Sequence, residues 1–328
     1  MKHNIFKFIC GACVISGFIA CQNSDAVFND YEHGTTVYFA YQYPVRTLVM
    51  GDDEYDTSKD KEHKFDIKAT FGGSYNGSDG TVQVAVDNSL VDNLTFADGR
   101  PVKAMPANYY SLSTTSMAFN GTMNGATEVQ LSDAFFNDPD AVKNCYVIPL
   151  VMTGQTGFGR ILTGVLNEGA TAVRTNEAVW DVKPMDYVLY CVKYLNKYSG
   201  YWLTNGTTNT ANIEKADNVY IATKTLKSSV YTVNPVINGV SYTVDLLLTF
   251  DDNEQCTISS LTSGITASGS GSWGDDTEKK AWGNKDRDGI ELNYTVTLSD
   301  GNQWSVHEKL VWLRSGVKTE EFKPIYSK

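Results

Sequence analysis

The chain has 328 residues, of which 42% are hydrophobic and 20% charged, and a formal net charge of −11 at pH 7. An acidic surface repels phosphates and sulfated sugars, so nucleic acid and polyanionic glycans are disfavoured as partners, while neutral glycans remain open. The length suits two domains of ordinary size.

Lys2 and Lys7 form a short basic start, and Ile5 to Ala20 is an almost uncharged apolar run. It is shorter than the roughly 20 apolar residues of a spanning helix, so residues 1–20 are expected to be a secretory signal peptide. Phe18-Ile19-Ala20-Cys21 resembles the lipobox of bacterial lipoproteins, with Phe18 where Leu is usual. That resemblance implies lipidation at Cys21 and a short tether over 21–25. Gln22-Asn23-Ser24-Asp25 resembles the acidic export signal of Bacteroidota lipoproteins. It implies the extracellular face of the outer membrane, with the lipid anchor as the only membrane contact.

Downstream, strand signals dominate. Thr35 to Tyr41, Gly80 to Val86 and Tyr146 to Met152 are rich in β-branched and aromatic residues. Hairpin-type dipeptides recur, Asn120-Gly121, Asn124-Gly125, Asn205-Gly206 and Asn238-Gly239 among them. Short helical turns are expected near Val86–Leu90 and Asp133–Phe136, and Asp52 to Lys64 reads as a charged, mobile loop. Residues 26–184 are expected to form a Greek-key β-sandwich. The boundary is placed at Pro184-Met185-Asp186 because, of six tryptophans, only Trp180 precedes it.

Residues 185–328 yield eight candidate strands in order: Ser199–Thr204, Asn218–Lys224, Ser229–Val236, Val240–Phe250, Gln255–Leu261, Gly264–Trp273, Ile290–Leu298 and Gln303–Leu313. Short links between most of them point to an up-and-down β-barrel. The exception is a long polar link from Gly274 to Gly289. The expected fold class is therefore all-β.

Two resemblances add to this reading. Val82 to Asp87 with Leu90-Val91, Pro106 to Leu112, and Tyr146 to Val151 are similar to a Bacteroidota domain of unknown function. That domain occurs in surface lipoproteins of glycan-utilisation loci, where it often precedes a family-18 endoglycosidase, a lectin-like domain or a β-barrel. Gly200-Tyr201-Trp202 and Lys309 to Arg314 resemble the first and last strands of the calycin, or lipocalin-like, barrels. The resemblance implies a structural role for Gly200, Trp202 and Arg314, with Arg314 stacked on Trp202 across the closed end.

No catalytic motif accompanies these strands. The acidic run of a family-18 glycosidase is absent, and Asp286-Arg287-Asp288-Gly289-Ile290-Glu291 lacks its spacing. No Gly-x-Ser-x-Gly elbow and no P-loop occur. Asn284 to Gly289 reads as a polar turn or as the first half of a calcium loop that lacks its closing glutamate. Cys145, Cys191 and Cys256 remain once the signal and the lipidated residue are set aside, without metal or disulfide spacing. The expectation is a non-enzyme without cofactor or metal.

Sugars offer flat C–H faces to aromatic rings and hydroxyls to polar side chains. Trp273 and Trp282, flanking the long polar link, are candidate glycan contacts, and Tyr41 and Tyr43 form a second pair. Core or loop-anchor roles stand beside that reading. The expected partners are a glycan or oligosaccharide and the proteins of an outer-membrane importer. The alternatives are a lipocalin-like carrier of a small apolar molecule and a structural or adhesive surface subunit.

Overall fold

The computed structural model describes residues 30–209 and 211–327, apart from the side chains of residues 213–218. The expected signal peptide, Cys21 and the tether lie outside the described residues.

The first half is built from two sheets. Five strands line up as Arg160–Ile161, Thr36–Tyr38, Lys64–Gly72, Asn124–Leu131 and Tyr110–Leu112. The larger sheet runs Glu320–Glu321, Pro44–Val49, Tyr187–Leu195, Tyr146–Thr156, Thr81–Val86 and Ser116–Ala118, with Lys103–Ala104 pairing the lower end of Tyr146–Thr156. Alternation in Lys64–Gly72 turns Phe65, Ile67, Ala69 and Phe71 inward. They meet Val82, Val84, Ile148, Leu150 and Val188 from the opposite sheet in one core. Each fully buried valine, leucine, isoleucine or phenylalanine of this core is worth about 1.5–3 kcal/mol.

The larger sheet is buried on both faces. Tyr146 to Met152 is buried without a break because Val147 and Val151 face a second apolar cluster. That cluster contains Leu90, Leu94, Phe96, Leu189 and Cys191, and it is closed by Phe322 and Tyr326 from the C-terminal tail.

The second half is a closed barrel of eight antiparallel strands, each paired with its sequence neighbours, the last pairing back onto the first. They span Gly200–Thr208, Asn212–Thr225, Ser228–Val233, Val244–Phe250, Gln255–Ser260, Ile265–Trp282, Lys285–Leu298 and Gln303–Arg314. All eight strands of the sequence reading are present, and the fold is all-β as expected.

Several expectations need correction. The change of sheet comes after residue 195, not at 184/185, because Tyr187–Leu195 lies between Pro44–Val49 and Tyr146–Thr156 in the first-half sheet. The link from Gly274 to Gly289 is not a loop: the sixth and seventh strands continue through it as a long hairpin closed by Gly283 and Asn284. Both turn residues have positive φ, as a type I′ turn requires. Asp276 and Lys280 also have positive φ, at two places where the sixth strand carries extra residues and bulges.

The Asp52–Lys64 segment is not a free loop. It carries the helix Ser58–Lys61, buries Thr57 and Asp60, and ties Asp53 to the Ser315 hydroxyl. Asn124-Gly125 and Asn205-Gly206 lie inside strands, whereas Asn120-Gly121 and Asn238-Gly239 are turns with positive φ at both residues.

Candidate functional site

One end of the barrel is plugged by the chain entering it. Asn196 is buried and its amide donates to the Thr225 and Ser228 carbonyls and to Ser229 Oγ, at 2.7, 2.9 and 3.0 Å. Tyr198 lies flat on Phe250, with ring centroids 3.7 Å apart, and its hydroxyl donates to Glu254 Oε2 at 2.8 Å. Trp202 is fully buried and donates from Nε1 to the Tyr198 carbonyl at 3.1 Å. Gly200 has a φ of +134°, and a Cβ there would stand 2.6 Å from the Arg314 carbonyl oxygen.

Arg314 does not stack on Trp202. Its guanidinium lies 4.8 Å from the centre of the Tyr201 ring, because neighbouring residues of the first strand point to opposite sides of the wall. All three residues therefore belong to the closed end, with Tyr201 taking the contact expected of Trp202.

Trp273 and Trp282 are separated by the hairpin. Trp273 is half-buried against the barrel core, with Tyr198 edge-on and Lys197 Nζ 4.0 Å from its ring centre. Lys197 is itself paired with Glu254 Oε1 at 2.6 Å. Trp273 is thus an anchor at the plugged end. Trp282 stands at the hairpin tip and is 53% exposed. The hairpin leans on the eighth strand through Lys309 and Glu278, 3.2 Å apart, and through Arg287 beside Trp312. Asp286 accepts from Lys279 Nζ and the Lys280 amide, and Asp288 from the Asp276 amide, so the carboxyls of the Asn284–Gly289 run are turned to separate partners.

Tyr43 is packed rather than presented. Its hydroxyl meets that of Tyr187 at 2.6 Å and its ring lies edge-on to Phe322. Tyr41, in contrast, is 63% exposed at the rim of a cleft in the first half.

The opposite side of the barrel holds a cleft that the sequence reading missed. The ladder between the second and third strands stops at Ile221 and Tyr231. A cleft of about 590 Å³ borders this ladder end and extends to Glu308. Tyr220 and Val236 stand at the exposed rim, and Tyr231, Tyr294 and Trp304 line the inner part.

Glu308 is only 2% exposed. Its Oε2 accepts from Thr204 Oγ1 at 2.8 Å and from the Tyr231 hydroxyl at 3.2 Å, and its Oε1 from the Tyr294 hydroxyl at 2.8 Å. Burial, with the neighbouring Glu308, holds both phenols well above their ordinary pKa, so they stay protonated donors. The site owes its shape to the sixth strand, where Gly269 faces Tyr294: a Cβ there would fall 2.5 Å from Tyr294 Cβ. Leaving out that side chain lets the Tyr294 ring lie edge-on to Trp304, with centroids 6.0 Å apart, and reach Glu308.

Glu308 was legible in principle. Trp304, Val306, Glu308, Leu310 and Trp312 alternate along the last strand, and all five are buried. An acid at the inward phase of such a run is the signal of a functional or structural polar centre.

Two family models match separate parts of the chain. Residues 31–159 match a family described as an N-terminal domain, and residues 195–316 match a domain of unknown function, DUF5627. No curated protein matches. A Bacteroides ovatus protein of unknown function, solved at 2.40 Å, is 34% identical with a TM-score of 0.83, over 91% of this chain and 100% of that one. A second B. ovatus protein of unknown function is 11% identical over 78% of this chain and 85% of that one, with a TM-score of 0.36. A candidate carbohydrate binding protein from B. ovatus ATCC 8483 is 12% identical over 88% of this chain and 99% of that one, with a TM-score of 0.27. The last two similarities are too slight to bear on this chain. The first, spanning both the sandwich and the barrel, is not, and the chain belongs to the family of that first Bacteroides ovatus protein.

Proposed function

We propose that this chain is a non-catalytic glycan-binding lipoprotein, anchored through Cys21 at the outer face of a Gram-negative outer membrane, that hands its ligand to an importer and holds a sugar in the barrel cleft. The observation that carries the reading is Glu308 at the cleft floor, ringed by three hydroxyls and walled by Trp304 and Tyr231. Glu308 fixes the Thr204, Tyr231 and Tyr294 hydroxyls in place, and aromatic faces suit pyranose C–H surfaces. Among the described residues lining the cleft, Glu308 is the one carboxyl, whereas glycoside hydrolysis ordinarily uses a pair. A carrier of a small apolar molecule would need an apolar floor, which this polar centre does not offer.

Calorimetry with neutral mono- and oligosaccharides tests the reading. Glu308→Gln keeps the shape and removes the carboxyl, and Tyr220→Ala trims an exposed rim residue. Each is expected to weaken sugar binding by about tenfold or more. Unchanged affinity in both variants sinks the barrel site, and sugar release from an offered oligosaccharide sinks the non-catalytic part. Mass spectrometry of the membrane-extracted protein checks the anchor: diacylglyceryl on Cys21 is expected, and its loss in Cys21→Ala.

A further inference from the structure

The chain has a second cleft, of about 730 Å³, whose lining shares no residue with the cleft at Glu308. One wall is the strand Pro44–Val49 with Tyr41. Another is the Tyr55 segment, and the third is the C-terminal tail at 317–321. We propose that this cleft is a second carbohydrate subsite, which takes one neutral pyranose unit of a longer glycan between the first half and the tail. The proposal rests on the glycan reading above and adds where, and by what chemistry, a second sugar unit is held.

Three features carry it. The first is the supply of rings. Tyr41 is 63% and Tyr55 40% exposed, and both line the cleft. Exposed phenols on one concavity offer apolar faces with a hydroxyl at the edge, which is what a sugar ring requires.

The second is rigidity. Tyr190, at the back of the cleft, lies flat on Phe65 with centroids 5.3 Å apart. The Tyr55 segment is pinned by Thr57 Oγ1, which donates to the Gly51 carbonyl at 2.8 Å, and by the bond from Ser315 to Asp53. A site held in place before binding loses less entropy on binding.

The third is charge. Arg46 is paired with Asp60, which is 1% exposed and also accepts the Val49 amide at 3.0 Å. Glu320 is paired with Lys193 at 2.8 Å. Lys318 and Glu321 contribute one charge of each sign to the rim. The balanced lining offers directional hydrogen bonds without a net field, so it suits an uncharged ligand better than an anion.

The test uses the full chain and hexasaccharides of glucose, mannose and xylose, with the matching monosaccharides, titrated by calorimetry. Tyr41→Ala and Tyr55→Ala are made singly and together, alongside Glu308→Gln. The double tyrosine variant is expected to lose about tenfold in affinity for a bound hexasaccharide, with monosaccharide binding at the barrel unchanged. Tyr41→Ala alone is expected to keep the parent melting temperature, since most of its ring is already in water. Parent-like hexasaccharide affinity in the double variant overturns the second subsite and leaves the barrel reading standing. A loss in the tyrosine variants with none in Glu308→Gln does the reverse. No binding by the parent chain to any of these sugars overturns both.

Discussion

Gly200 shows how one residue type is dictated at the plugged end. Its backbone sits at a φ that L side chains rarely adopt, and the space its Cβ would take is filled by the Arg314 carbonyl. Gly200→Ala is expected to cost about 1–3 kcal/mol, read as a lower melting temperature. Arg314→Ala removes a contact between an exposed guanidinium and the Tyr201 ring, and a loss below about 1 kcal/mol is expected. The Gly-x-Trp pattern pointed to the first barrel strand, which begins at Gly200. The partner of Arg314 was not legible, because neighbouring residues of one strand face opposite sides of its wall, and only the register decides which ring the arginine meets. Asp288 offers a second test at this scale. Burial pushes its carboxyl up to about 6, with Asp275, Asp52 and Asp276 adding repulsion against the favourable bond from the Asp276 amide. A folded-state pKa above the ordinary 3.8 means that the folded chain holds this proton more tightly than the unfolded chain. Its stabilising effect is thus full below 3.8 and lost as pH rises through about 6. Asp288→Asn should raise the melting temperature more at pH 7.5 than at pH 4.5, and an equal change at both would contradict the argument.

At the scale of elements, the sixth strand is the informative one. Its run Ser268-Gly269-Ser270-Gly271-Ser272 has little β propensity, yet it pairs residue by residue with both neighbours. The absence of a side chain at Gly269 is what allows Tyr294 to reach Glu308. Gly269→Ala is therefore expected to cost about 1–3 kcal/mol through overpacking and to weaken any ligand held at Glu308. A variant with parent-like melting and affinity would show that Tyr294 has slack. Both ends of the fifth and eighth barrel strands fell within one residue of what alternation and turn residues implied, whereas the second strand begins six residues earlier, at Asn212. The hairpin beyond Trp273 was not legible, because its residues are polar on both faces, and a strand pair standing clear of the core leaves no periodic apolar signal. The same fact explains why Trp273 and Trp282 looked alike in sequence. One anchors the barrel and the other tops an arm in solvent, so Trp282→Ala should leave melting unchanged while Trp273→Ala lowers it.

The whole molecule is not two beads on a string. Tyr187–Leu195 reads as apolar but for Lys193 because both faces of its sheet are covered, and such a run carries no sign of which half owns it. Tryptophan usage assigned it to the barrel, whereas hydrogen bonding assigns it to the first half. The tail then returns from the barrel: Glu320–Glu321 adds an edge strand beside Pro44–Val49, and Phe322 lies against Tyr43 and Phe96. This return was invisible in sequence, since a few apolar residues in a polar tail do not say what they cover. It predicts that a chain ending at Thr319 keeps its barrel but uncovers the apolar face formed by Val147, Leu189 and Cys191. Cys145, Cys191 and Cys256 are all buried free thiols in the intact chain. A thiol reagent added to a folded chain that begins after Cys21 should therefore react with none of them. In the shortened chain Cys191 should react first, because its side chain belongs to the cluster that Phe322 closes, whereas Cys256 belongs to the barrel core and Cys145 to the core between the sheets. Mass spectrometry of the labelled peptides reads the order. Equal labelling of all three would mean that losing the tail unfolds the whole chain, and no labelling would mean that the tail is not what shields the sheet.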